Sequence, residues 1–365
     1  MKKIISVVGA RPNFMKVAPV HRAFQEHKDS CIHLICHTGQ HFDSKMSDVF
    51  FDELGMPSPS FNLGIGGGSH AEQTGKTIIE IEKILLAEAP DMLIVYGDVN
   101  STMAASIAAS KLGIRIAHVE AGLRSFDREM PEELNRLVTD VLADYLFVTE
   151  EKAIENLKRE GLNLNKIFFV GNVMIDTLMN SLPLIAKSSI IQKLNLISQK
   201  YVLVTFHRPS NVDTSINLQG LVDFLNSISE QITVVFPMHP RTKFNLEKHF
   251  LLDKLNSNII VVDPLGYIDF ISLVKNATLI ITDSGGIQEE STFLGVQCIT
   301  VRDNTERPVT VDFGTNQLVG TNLAKVSSVV SEVLGGRKKQ GQIPRLWDGN
   351  SAKRIVDKIV EILNY

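Results

Sequence analysis

Residues 279–290 read Leu279-Ile280-Ile281-Thr282-Asp283-Ser284-Gly285-Gly286-Ile287-Gln288-Glu289-Glu290. The apolar start is a strand, Asp-Ser-Gly-Gly is a turn, and a helix follows from Ile287. A turn into a helix leaves backbone N–H groups without partners, and the helix dipole adds positive potential there. Two glycines let a ligand approach that backbone closely, so the segment reads as an anion site. Glu290 lies four residues past Gly286, one helical turn on, where a carboxylate suits a ribose diol. Ser-Gly-Gly is also an ordinary turn and cap, so the surrounding chain has to choose between the readings.

Around this run, short β-branched stretches alternate with amphipathic ones, the pattern of α/β parallel sheets. Strands are expected at 3–8, 32–37, 92–96, 114–119, 145–148 and 167–170. A second series follows at 201–205, 233–236, 259–262, 277–282, 297–301 and 317–319. Helices are expected between them, and a last one at 352–363. Two series predict two Rossmann-like, doubly wound domains, residues 1–170 joined by 350–365, and residues 171–349. A chain of 365 residues can bury two full cores.

Charged residues are 21% of the chain and the net charge is −4. That balance argues against nucleic acid as a partner. Cys31, Cys36 and Cys298 sit in apolar runs without metal-ligand spacing, as small core residues of a reducing compartment do. The apolar run 4–10 ends at Arg11, too short for a signal core with a cleavage site. No run approaches the roughly 20 residues that span a bilayer. A cytoplasmic protein is expected, with no membrane association.

Ligands of parallel sheets bind at the carboxyl ends of strands. After the first strand, Gly9-Ala10-Arg11-Pro12-Asn13-Phe14-Met15-Lys16 lacks both the dinucleotide and the Walker spacing. Arg11 and Lys16 flank a helix start set by Pro12, either as anion ligands or as a solvated first turn. Asp98 ends another strand, as a functional carboxylate or an N-cap. Glu120 also ends a strand but has no capping role, because the next helix begins near Pro131. Glu132 fits the helix dipole equally well, and Arg136 shares its first turn. Three carboxylates, Asp98, Glu120 and Glu132, converging at one mouth suggest acid–base work. In the second series His207-Arg208 ends a strand with a side chain that titrates near neutrality. His239 does so more weakly. Phe270 is either a base-stacking or a core aromatic. Arg307, near the Gly-Gly turn, could take a diphosphate bidentately.

Eight motifs then fall in one order: Gly-Ala-Arg-Pro-x-x-x-Lys (9–16), Gly-Asp-x-x-Ser-Thr (97–102), His-Val-Glu-Ala-Gly-Leu-Arg (118–124), Pro-Glu-Glu-x-Asn-Arg (131–136), Gly-Asn-x-x-Ile-Asp (171–176), Thr-x-His-Arg (205–208), Thr-Asp-Ser-Gly-Gly-Ile-Gln-Glu-Glu (282–290) and Thr-Glu-Arg-Pro (305–308). In this order, over nearly the whole chain, the sequence resembles the non-hydrolysing UDP-N-acetylglucosamine 2-epimerases. The resemblance implies two domains of glycosyltransferase-B type with the active site in the cleft between them. It also implies a homodimer, and interconversion of UDP-GlcNAc and UDP-ManNAc for bacterial surface polysaccharide precursors. By resemblance, Asp98, Glu120, Glu132 and His207 are catalytic. Arg11, Lys16, Arg136, Arg208 and His239 bind substrate, and Phe270 lies at the uracil. Ser284, Gly285 and Gly286 cradle the diphosphate, Glu290 takes the ribose and Arg307 adds a diphosphate contact. Three departures surround the sugar site: Asn13-Phe14, Pro209-Ser210-Asn211, and a short 120–131 segment. Related enzymes act on UDP-2,3-diacetamido-glucuronate, and some carry an activating UDP-GlcNAc site near Gln40, His41 and His239. The Gly-rich loop Gly64–Ser69 carries no arginine for such a site.

The chemistry explains this residue set. The C2–H of an N-acetyl sugar is scarcely acidic until UDP leaves C1 and positive charge builds there. The site then needs donors for the departing diphosphate and carboxylates to move a proton on two faces. Neither metal nor cofactor is called for. A glycosyltransferase would share the nucleotide half but need an acceptor. A non-catalytic nucleotide-sugar sensor would not need the carboxylates.

Overall fold

The computed structural model describes residues 1–39 and 55–364. The chain divides into two compact units, Met1–Asn180 with Arg345–Tyr365, and Ser181–Pro344.

The first unit is built on β1 (Lys2–Val8), β2 (Cys31–His37), β3 (Phe61–Asn62), β4 (Met92–Tyr96), β5 (Arg115–Ala121), β6 (Tyr145–Val148) and β7 (Ile167–Phe169). They pair in parallel in the order β3-β2-β1-β4-β5-β6-β7. Such strands are covered on both faces, which is why Met92–Tyr96 is an unbroken apolar run with every residue buried. Its helices are α1 (Arg11–Gln25), α2 (His70–Glu88), α3 (Asn100–Lys111), α4 (Pro131–Leu142) and α5 (Glu151–Arg159), with α6 (Val173–Ile185) beginning in it. Proline in the first turn starts α1 and α4. A reciprocal Ser69–Glu72 box starts α2: Glu72 N donates to Ser69 Oγ at 3.2 Å and Ser69 N to Glu72 Oε2 at 2.8 Å. The Gly-rich loop ahead of it is thus the entrance to a helix.

The second unit repeats the plan with β8 (Tyr201–Thr205), β9 (Thr233–Pro237), β10 (Ile259–Val262), β11 (Leu279–Thr282), β12 (Gln297–Thr300) and β13 (Asn316–Leu318). Their order is β10-β9-β8-β11-β12-β13, again parallel. The helices are α7 (Ser215–Ser229), α8 (Pro240–Lys248), α9 (Tyr267–Asn276), α10 (Gly285–Leu294) and α11 (Leu323–Leu334), with short helical turns at Ile190–Lys193, Pro209–Val212 and Pro308–Asp312. Each unit has its own apolar core, one around Val95, Ile116 and Leu146, the other around Val204, Phe236 and Ile281.

The last helix, α12 (Ser351–Asn364), belongs to the first unit. Asp176 of α6 accepts its first N–H groups, from Ser351 at 3.2 Å and Ala352 at 2.7 Å. Thr177 donates to the Met15 carbonyl of α1 at 2.5 Å. These ties carry the first unit past residue 170 to Asn180. No described helix is long and apolar enough to cross a membrane.

Both sheets reverse their strand order between the first and fourth strands, β1/β4 and β8/β11. Ligand crevices of doubly wound sheets open there.

Candidate active site

At the first reversal, Lys16 of α1 reaches Glu120 at the end of β5, Nζ to Oε2 at 2.5 Å, both side chains buried. The backbone aims that carboxylate. β5 slips its register against β6 between Val119 and Ala121, and Glu120 sits at φ 73°. A bulge re-aims a side chain, and a left-handed non-glycine residue costs about 1–3 kcal/mol that the surroundings must impose. Gly97, at φ 62°, leaves the room needed, since a Cβ there would stand 2.7 Å from Lys16 Nζ. Asn13 fixes the loop before α1: its Oδ1 accepts from Gly9 N (3.1 Å) and Ala10 N (3.2 Å), and its Nδ2 donates to the Tyr96 carbonyl (3.0 Å).

Asp98 is not an N-cap. Val99 occupies that position, and the Asp98 carboxylate takes the Arg136 guanidinium instead, Nε at 3.0 Å and Nη2 at 2.9 Å. Arg136 is 2% exposed and also pairs with Glu133. Glu133 is held by Ser125 N, Ser125 Oγ and Phe126 N, each at 2.9 Å. The neighbouring acids therefore split. Glu133 is sealed inside, whereas Glu132 is half-buried and has no hydrogen-bond or ionic partner among the described residues.

Beneath these groups lies a buried charge network. His118 Nδ1 donates to Asp140 Oδ1 at 2.6 Å, and Nε2 to the Gly97 carbonyl at 2.8 Å. Asp140 also takes Arg124 at 2.7 Å and the Gly122 N–H at 3.1 Å. Burial pushes the Asp140 carboxyl up, but His118 and Arg124 outweigh it and hold the group below the usual carboxylate range.

At the second reversal, β11 runs into α10 with Ser284 as N-cap and no side-chain cap bond. Ser284 N donates to Thr282 Oγ1 at 2.9 Å, and Thr282 bonds Thr205 across the strands at 2.6 Å. The two glycines differ. A Cβ on Gly285 would stand 2.8 Å from Glu306 Oε1 and 2.9 Å from Arg307 Nη1. A Cβ on Gly286 would meet nothing within 4 Å. Internal packing therefore explains the first glycine and not the second. The Arg307 guanidinium, expected to contact the diphosphate, is buried and carries Glu289 at 2.8 Å and Glu306. Glu290 is buried beside Tyr267, whose hydroxyl is pushed well up by burial and by the Glu290 carboxylate.

His207 follows β8 and donates Nδ1–H to Asp283 Oδ1 at 2.8 Å. The His239 ring lies 5.5 Å away, centroid to centroid, and His239 Nδ1 caps α8 by accepting from Arg241 N. Arg208 donates Nε–H to the Asp283 carbonyl at 3.1 Å. Phe270 is half-buried in the first turn of α9.

Within the first unit, Lys16, Asp98, Glu120 and Arg136 come together, and within the second His207, Arg208 and Asp283 do. Lys16 and Arg136, expected as substrate cations, both hold carboxylates of the protein. Arg11 opens α1, but its side chain, like Gln40 and His41, lies outside the described residues. Sequence reasoning passed over Asp283 and Glu133 as site-forming groups, and met Asn13 and Asn211 only as departures around the sugar site. Only Glu133 had a local signal, its helical i,i+3 spacing from Arg136.

Two doubly wound sheets, each with polar groups gathered at its strand reversal, place the chain in the glycosyltransferase-B-like fold class. The chain is similar in fold to a UDP-glucosyltransferase from Polygonum tinctorium, at TM-score 0.64 and 14% identity over 100% of this chain and 99% of that one. It belongs to the UDP-N-acetylglucosamine 2-epimerase family, whose model matches residues 22–360. It is similar to the Methanocaldococcus jannaschii UDP-GlcNAc 2-epimerase solved with UDP-GlcNAc and UDP, at 46% identity and TM-score 0.91, covering 99% of this chain and 100% of that one. It is also similar, at 41% identity over 99% of this chain and 100% of its relative, to the UDP-2,3-diacetamido-2,3-dideoxy-D-glucuronate 2-epimerase of Pseudomonas aeruginosa.

Proposed function

We propose that this protein interconverts UDP-N-acetylglucosamine and UDP-N-acetylmannosamine at C2 by eliminating and re-adding UDP. The observation that carries the reading is Glu120, a buried carboxylate re-aimed by a strand bulge and ion-paired to Lys16. Nucleotide binding alone has no need of it.

A carboxylate of the first unit takes the C2 proton, the C–H electrons form the C1–C2 double bond, and the C1–O bond breaks onto the β-phosphate. Glycal and UDP remain bound. Proton return on the other face and re-addition of UDP at C1 complete the change. Asp98, Glu120 and Glu132 share proton transfer and charge stabilisation. Ser284, the N–H groups of Gly285 and Gly286, and the dipole of α10 hold the diphosphate. His207 donates to the leaving phosphate, Glu290 takes the ribose, and Phe270 lies against the uracil. Arg136 holds Asp98, and Arg307 walls the cradle beside Gly285.

UDP-GlcNAc is the first choice of sugar because it is bound in the M. jannaschii relative. The 41% identity to the P. aeruginosa enzyme keeps the diacetamido-glucuronate as a second reading. A homodimer is supported by Leu134, Val138 and Val141, exposed on one face of α4. A cytoplasmic location suits the buried free thiols of Cys31, Cys36 and Cys298.

Incubation in D2O with each UDP-sugar, followed by NMR, tests the reading. C2 deuterium and the C2 epimer should appear with UDP-GlcNAc and no acceptor. UDP binding without C2 exchange on either sugar overturns epimerisation. Exchange on the glucuronate alone transfers it to the second reading. Sedimentation of the same sample should give a dimer mass, and a monomer mass overturns that assembly.

A further inference from the structure

We infer that Asp283 is a positioning residue that orients His207 through Nδ1 and presents its Nε2 as the donor for the departing phosphate. This inference rests on the epimerase reading for its kinetic consequence, but the His–Asp pair itself is defined by geometry alone.

Asp283 is the first residue after β11, and its side chain is fully buried. A buried carboxylate needs donors around it, and this one draws them from the segment that follows the neighbouring strand β8. His207 N donates at 3.0 Å, Arg208 N at 2.9 Å and Asn211 Nδ2 at 3.0 Å, all to Oδ2. His207 Nδ1 completes the set at 2.8 Å on Oδ1. One carboxylate therefore folds the 207–211 loop about itself across the strand reversal. Asn211, one of the three departures around the sugar site, supplies part of that clamp and also donates to the Val301 carbonyl at 3.3 Å.

The arrangement fixes which ring nitrogen can act. An ionised carboxylate only accepts, so Nδ1 must carry a proton. Burial raises the Asp283 carboxyl, but His207, Asn211 and the Arg208 N–H together hold it below the usual range, which keeps it an acceptor. Nδ1 is thus spent inside the protein, while the His207 side chain stays 38% exposed. Nε2 makes no hydrogen bond among the described residues. In the doubly protonated ring, with Nδ1 committed to the carboxylate, Nε2 is the nitrogen left to donate. Aligned donors beside it lie on the same strand edge, at the start of α10.

The inference is tested with wild type and Asp283→Asn in parallel. Long-range 15N–1H NMR of histidine-labelled, ligand-free wild type, with His207 assigned by His207→Ala, should show a protonated Nδ1 in a strong hydrogen bond. An Nδ1 without a proton overturns the inference, and this measurement needs neither a variant that folds nor an active enzyme. In Asp283→Asn that strong Nδ1–H hydrogen-bond signature of His207 should be lost. Its kcat should fall about 10²-fold or more, with KM changed less than about threefold, because the lost interaction is made in the transition state. In a His207→Ala background the second substitution should cost nothing further in kcat. A raised KM with kcat intact, or additive losses in the double variant, overturns the positioning role. Absence of turnover in wild type with Nδ1 protonated would instead remove the epimerase reading and leave the pair standing.

Discussion

The two units share a strand order and both bury charge pairs, Arg307 with Glu289 and Glu306 in the second, but they differ in what they leave ready at the strand ends. At the strand ends of the first unit, Lys16 holds Glu120, Arg136 holds Asp98 and Glu133, and Arg124 holds Asp140 and Glu160. At the strand ends of the second, α10 begins without a side-chain cap, Gly286 faces open space, and His207 commits one nitrogen. The first unit sets its charges in advance, aimed and buried. The second, at the turn into α10, keeps donors in place for a charge that arrives. Both are preorganisation: fixed dipoles and charges stabilise a transition state because they need not rearrange during the reaction. The difference matches the chemistry, since a proton must move against fixed carboxylates while a diphosphate must leave and return.

Breaking the first unit's pairing should have the largest effect. Glu120→Gln should lower turnover by about 10²-fold or more while UDP affinity, measured by calorimetry, stays within about threefold. The substitution also leaves the Lys16 ammonium buried without its counter-charge, a defect worth about 3–5 kcal/mol of stability. Adding Lys16→Met removes that defect, so the double variant should regain thermal stability and stay inactive. Recovery of activity along with stability would show that Glu120 serves the fold and not the chemistry.

The second unit is tested at its two glycines, with a smaller effect. Gly286→Ala adds a methyl that touches no protein atom, in the first turn of a helix, so stability should hold or rise by up to about 1 kcal/mol. UDP affinity should drop about tenfold, roughly 1.4 kcal/mol, with turnover falling too. Gly285→Ala pushes instead on the buried Glu306–Arg307 pair and should lower the melting temperature. If both variants bind UDP as wild type does, α10 is not the diphosphate site.

This contrast was only half legible in the sequence. Strand runs such as 92–96 and 201–205 stand where expected, because strands buried on both faces must be largely apolar. β3 was missed, since two residues carry no period. The first unit runs past the boundary expected at residue 170 because the anchors of α6, Asp176 on α12 and Thr177 on α1, are distant in sequence. Asp98, Glu120 and His207 were singled out because strand ends are where parallel sheets present function. What bound them was not found. Arg136 read as a substrate cation, and nothing local shows that it is spent on Asp98 and Glu133. Asp283 read as a turn residue for the same reason: its role depends on a loop some seventy-five residues away in the chain.

Asp176 sharpens the comparison from within the first unit, through stability alone and with no effect on turnover. Asp140 and Asp283 are buried carboxylates with a cation or an imidazole against them, and both are held low. Asp176 is buried with the N–H groups of Ser351 and Ala352, and burial outweighs these, raising its carboxyl to about 6 from 3.8. The folded state therefore holds this proton more tightly than the unfolded chain does. That contribution to stability is complete below the unfolded value and is lost as pH rises through about 6. A shift of this size amounts to about 3 kcal/mol. Asp176→Asn cannot ionise, so wild type should lose melting temperature relative to this variant between pH 4.5 and 7.5. A gap that stays constant across that window would mean that the α12 cap stabilises the ionised carboxylate as fully as His118 and Arg124 stabilise Asp140.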